Sequence, residues 1–155
     1  MRLQRVIGIA LACAAAGPLH ANPALDEAEI AEARASLEAG AEEAAEKSWP
    51  IFSGEGRADG LDREAVSRAG RWWMASFSVG WCARFAELAL IDELDASLYR
   101  AIPGASPWAL ARVREEGTSM RRKGASTGFD GFTPGRQRAF CAVELEAVRQ
   151  VLADL

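Results

Sequence analysis

The sequence predicts an all-α domain, a small helical bundle of four to five helices with one disulfide. Three observations carry this. Apolar residues recur at steps of three and four over residues 63–102 and again over 141–155. A capping residue stands directly before proline at Asn22-Pro23, Ser106-Pro107 and Thr133-Pro134, which is how a helix begins. Two cysteines, Cys82 and Cys141, each lie inside an apolar, helix-like stretch.

The first 21 residues read as a secretory signal peptide. Arg2 and Arg5 precede an apolar run from Val6 to Ala16, Gly17-Pro18 breaks it, and Leu19-His20-Ala21 suits cleavage after Ala21. The run is too short for a membrane span. Cys13 behind Ala10-Leu11-Ala12 is a loose lipobox, and lipidation there is the alternative processing route. The expected location is therefore periplasmic or secreted. The only histidine, His20, and one of the three cysteines, Cys13, fall in this segment. Cys82 and Cys141 are left as each other's partner in an oxidising compartment. Without histidine, triads, Cys-His dyads and the usual zinc sites are excluded, so no metal and no cofactor is expected.

Residues 22–155 carry 16 basic residues against 22 acids once Arg2 and Arg5 are removed, a net charge of −6. An acidic chain of this kind argues against nucleic acid or an anionic membrane as partner. No later stretch has the length of a membrane span.

Residues 22–62 are expected to form a peripheral acidic helix followed by a Gly/Pro-rich loop. The helix would run from Pro23 to about Lys47, its apolar stripe mostly alanine, with Gly40 weakening it. The loop spans Ser48 to Asp62, with Trp49, Ile51 and Phe52 turned toward the core. Its acids do not make a calcium loop: placing Gly60 sixth puts Arg57 third and Val66 twelfth. Asp62 is assigned to capping instead.

Residues 63–155 are expected to form the disulfide-linked core. Arg63 to about Ile102 reads as one helical block, with a break near Ser76–Gly80 and an Asp95 cap to a further turn. Trp72, Trp73 and Trp81 concentrate aromatic area that belongs to a core first and to a ligand pocket second. A helix from Ser106-Pro107 should stop at Gly124. Gly117 within it either interrupts it or admits a close neighbour. Residues 124–134 form a glycine-rich loop whose Phe129 and Phe132 either close the core or face a partner. In the last helix Cys141, Leu145, Val148, Leu152 and Leu155 share one face, which aims Cys141 at the core and at Cys82.

No catalytic motif occurs. The acids Glu87, Asp92 and Glu93 on one helix read as a solvated face rather than a glycosidase pair. The chain is expected to be a non-enzymatic, protein-binding molecule whose partner is another envelope protein. The alternative is a small-molecule binder or histidine-independent enzyme with a pocket at Trp72, Trp73 and Trp108. Residues 26–46 hold eight acids and one base, whereas residues 112–138 hold seven bases and three acids. Arg121, Arg122 and Lys123, with Phe129 and Phe132, are the candidate partner-binding residues.

A leader, a helical domain, the mid-chain Cys82 and a last helix opening Phe140-Cys141-Ala142-Val143-Glu144 together resemble small secreted bacterial helical proteins of unknown function held by one disulfide. The same architecture resembles the periplasmic immunity proteins that neutralise secreted cell-wall-degrading toxins. That resemblance implies an inhibitor that binds a protein partner; it carries over no site residue.

Overall fold

A computed structural model describes residues 25–53 and 59–155; the expected signal peptide, its cleavage site, Cys13 and Asn22-Pro23 lie outside the described residues, and the first helix starts at Glu27 with Asp26 as its cap rather than at Pro23. The described residues form five helices: α1 Glu27–Phe52, α2 Arg63–Trp81, α3 Leu88–Ala101, α4 Pro107–Ser126 and α5 Pro134–Ala153. The chain is thus an all-α bundle, and its disulfide joins Cys82 to Cys141 with a Cα–Cα distance of 5.5 Å. Among the described residues, no helix is long and apolar enough to cross a membrane.

Helix α2 is the centre of the bundle and packs against all four others. Eleven of its 19 residues are buried, because its small residues let neighbours close in from several sides. Asp62 caps it, its side chain accepting from Ala65 N–H at 2.7 Å. Trp72 and Trp73 lie in the core with exposures of 3% and 1%. Each indole N–H is satisfied by a backbone carbonyl, Trp72 by Leu94 O at 2.7 Å and Trp73 by Val113 O at 3.0 Å.

Helix α1 differs from the peripheral helix expected of an alanine-rich acidic stretch. It lies along α2 and α5 and buries Ile30, Leu37, Ala41, Ala45 and Phe52. The physical reason is backbone proximity: a Cβ added to Gly70 of α2 would lie 2.4 Å from Ala41 O. Alanine fits such an approach and a larger side chain does not, so a thin apolar face is a packing face. The helix also continues through Pro50 to Phe52, five residues past its expected end at Lys47. The Phe52 ring packs at a tilt, 5.6 Å from Trp73 and 6.1 Å from Trp108, which anchors the extra turn. Ile51, expected in the core, is 50% exposed.

The expected block over residues 63–102 is two helices. The break falls at 82–87 rather than at Ser76–Gly80, where the carbonyl of Cys82 accepts from both Phe85 and Ala86 N–H. Asp95 sits inside α3 rather than capping a turn. Helix α4 passes through Gly124 and ends at Ser126. Its glycines serve contact with α2: a Cβ at Gly117 would lie 1.8 Å from Trp72 Cζ3, and one at Gly124 would lie 2.0 Å from Phe77 O. Of the two readings of Gly117, close approach is the one realised. Ser106 and Thr133 cap α4 and α5 as expected, accepting from Ala109 N–H at 3.1 Å and Arg136 N–H at 3.3 Å.

Candidate functional site: an aromatic groove with a buried carboxyl group

The disulfide fixes the register of α5 against α2, and that register builds a groove. One turn before Cys82 lies Ser78, and one turn after Cys141 lies Glu144. Ser78 Oγ donates to Glu144 Oε1 at 2.6 Å. Glu144 is 9% exposed, and Ser78 is 1% exposed. Glu144 Oε2 takes no protein hydrogen bond among the described residues. Burial pushes the Glu144 carboxyl pKa above its ordinary value, and the Ser78 hydrogen bond opposes part of that rise.

These residues line a groove of about 590 Å³ between α1, α2 and α5. Its buried lining residues, Leu37, Ser78 and Glu144, form the floor. Phe77, Trp81, Phe132 and Phe140 supply aromatic walls. Glu29 and Glu32 of α1 and Arg136 of α5 stand exposed at the rim. The Arg136 guanidinium lies 4.8 Å from the Phe132 ring centroid.

The aromatic walls extend into a cluster beside the disulfide. Trp81 lies 4.8 Å from Phe140 and stacks on Phe129 at 5.5 Å. Phe132 meets Phe129 and Phe140, each at 5.8 Å. The 127–133 loop delivers both phenylalanines. Trp81 Nε1–H donates to Gly128 O at 3.3 Å, and Phe132 N–H closes a turn onto Phe129 O at 3.0 Å. That turn needs glycine at 131, where φ is +75°. Phe129 and Phe132 are half-buried, and only Phe132 lines the groove.

The basic candidates are placed elsewhere, on α4. Arg121 donates to Asp95 of α3 at 2.7 Å, and its Nε is buried with no hydrogen-bond partner among the described residues. Arg122 and Lys123 are exposed and form no ion pair among the described residues. The acidic and basic segments do not pair with each other there: α1 acids pair with Arg34, Lys47 and Arg63, and α4 bases with Asp95 and Glu115. The structure therefore separates Arg121, Arg122 and Lys123 from Phe132 rather than gathering them into one site. Glu87 pairs with Arg149 at 3.3 Å, and Glu93 pairs with Arg100.

Phe77, Ser78, Phe140 and Glu144 are not among the sequence-predicted binding residues; Arg136 enters there only as one of the seven bases of residues 112–138, and Trp81 only as part of an aromatic concentration. One signal for Glu144 is present in the sequence. It falls three after Cys141 and one before Leu145, inside the register of the buried face, where a carboxylate is out of place.

The class defined is a disulfide-stapled five-helix bundle with an aromatic groove and a buried carboxyl group at its base. No protein-family model, no curated protein and no solved structure matches the chain.

Proposed function

We propose that the protein is a non-enzymatic binding protein of an extracytoplasmic, oxidising compartment, and that it recognises another envelope protein through the aromatic groove. The observation that supports this reading is the groove itself. Half-buried rings on a rigid scaffold, around a few polar groups, have the composition of a recognition surface. Tryptophan and phenylalanine carry much apolar area at low conformational cost, which favours them as anchors. The disulfide favours an oxidising compartment. An immunity-type inhibitor and an envelope accessory factor are the two concrete forms, the first following from the architectural resemblance.

A small-molecule site at Trp72 and Trp73 has less support, since both indoles are core side chains with satisfied N–H groups. Trp81, by contrast, is half-buried and lines the groove wall.

A photo-crosslinking residue introduced at Ala139, an exposed rim position, tests the reading against the same residue at Ser119 on α4. Crosslinking is performed in the exporting cell. A discrete protein adduct from position 139 and none from 119 is the expected result. No adduct from 139, or the same adducts from both, overturns it.

A further inference from the structure

The groove contains a group that the packing uses only in part. Glu144 is more than nine-tenths buried, yet one of its two carboxylate oxygens has no protein hydrogen bond among the described residues. Oε2 is not sealed from solvent, so it faces the groove and is open to a donor brought by an occupant. Its neighbours on the same face, Cys141, Leu145 and Val148, are apolar, and its bond to Ser78 occupies only Oε1.

We propose that the groove is a receptor for a basic side chain, lysine or arginine, carried between apolar residues on a segment of the protein partner, with Glu144 Oε2 as the acceptor at its base. This rests on the binding reading above and names the chemistry of the partner.

Charge complementarity supports the choice of a cation. The lining contains three carboxylates, Glu29, Glu32 and Glu144, against one base, Arg136. No ion pair ties Arg136 to Glu29 or Glu32 among the described residues. The two rim acids lie on α1, so an approaching cation meets them first and the buried carboxyl last. The rings suit the same occupant: a cation over an aromatic face is attracted by the ring quadrupole. The rim already shows this contact, with Arg136 seated on Phe132. The aliphatic stem of a lysine or arginine would lie along Phe77, Trp81 and Phe140 while its head reaches Glu144. A partner acid would face three like charges, so the same lining selects against it.

The test uses three peptides, acetyl-Ala-Leu-X-Leu-Ala-amide, with X lysine, norleucine or glutamate. They are titrated into the purified protein, and binding is read from the backbone amide shifts of Ala33, Ala139 and Val143. Expected is binding of the lysine peptide about tenfold or more tighter than the norleucine peptide, as for a charge-assisted hydrogen bond. Glu144→Gln should reduce that preference severalfold, the rim acids Glu29 and Glu32 keeping the remainder; an unchanged preference overturns the assignment of Glu144. Glu144→Asp, which keeps the charge but shortens its reach, should retain part of the preference. Equal binding of all three peptides overturns the cation proposal and leaves the groove as an apolar site. No binding of the lysine peptide at millimolar concentration also overturns it; the crosslinking at Ala139 then decides the groove reading separately. Amide shifts confined to residues outside the groove overturn it as well.

Discussion

Ser78 and Glu144 are joined at 2.6 Å one helical turn from the disulfide that joins Cys82 to Cys141. On α2 the serine precedes the cysteine by four residues, and on α5 the glutamate follows the cysteine by three. Opposite displacements mean that the two helices run antiparallel along this seam. The covalent link and the buried polar pair are two rungs of one ladder, and the groove opens beside the second rung.

Removing the first rung is the simplest test of the scaffold. Cys141→Ser frees a closed loop whose ends are 59 residues apart. The chain-entropy relation puts the loss at about 4 kcal/mol, a drop in thermal midpoint of roughly 10–20 °C for a domain of this size. Helical content at low temperature should stay near that of the parent. Circular dichroism melts of the variant and of the reduced parent check this, and the two should agree.

The second rung makes stability depend on pH. Burial raises the folded-state pKa of Glu144 above the ordinary 4.5. Between 4.5 and that raised value the folded protein holds a proton that the unfolded chain has released. Its stabilising contribution is therefore complete below 4.5 and lost as pH rises through the folded pKa. Glu144→Gln removes this dependence. The variant should be more stable than the parent near neutral pH, with the advantage vanishing below pH 4.5. Urea unfolding across the acidic range measures it; an advantage that grows as pH falls would contradict the assignment.

Glycine at 117 is a packing requirement, in spite of its place in a helix. Gly117→Ala improves helix propensity by about 1 kcal/mol in isolation. Its new Cβ would fall 1.8 Å from the Trp72 ring, which is itself buried and hydrogen-bonded. Net destabilisation of about 1–3 kcal/mol is expected from overpacking. Gly135→Ala, where a Cβ meets nothing within 4 Å, should be neutral or stabilising by a few tenths of a kcal/mol. Chemical denaturation of the two variants gives the contrast directly.

The basic run on α4 divides into one structural and two free cations. Arg121→Glu sets two acids against each other at Asp95 and should cost about 1 kcal/mol or more. Arg122→Glu and Lys123→Glu should change stability by less than about 0.5 kcal/mol, since neither residue makes an ion pair among the described residues. Thermal melts separate these cases. Any loss of partner capture by the Arg122 and Lys123 variants is then a surface effect.

Much of the fold was readable because helices are local. Capping residues, prolines and a period of three to four act within a few positions along the chain, so Asp62, Ser106 and Thr133 mark helix starts correctly. The misplaced boundaries are those where distant contacts override local propensity. Pro50 should end α1, but Phe52 is held by Trp73 and Trp108. Gly124 should end α4, but it is the point where that helix meets the backbone at Phe77.

The sequence by itself determined the helical class, the pairing of Cys82 with Cys141, and the buried face on which Cys141 lies, because periodicity and cysteine count are properties of the chain alone. Only the tertiary structure decided that an alanine-rich acidic helix packs against α2, since alanine reads as weak burial until a glycine faces it. Only the tertiary structure placed Trp81, Phe132, Phe140 and Glu144 around one groove. Trp81 comes from α2 and the other three from α5 and the loop just before it, and their meeting depends on the register that the disulfide and the Ser78–Glu144 bond impose.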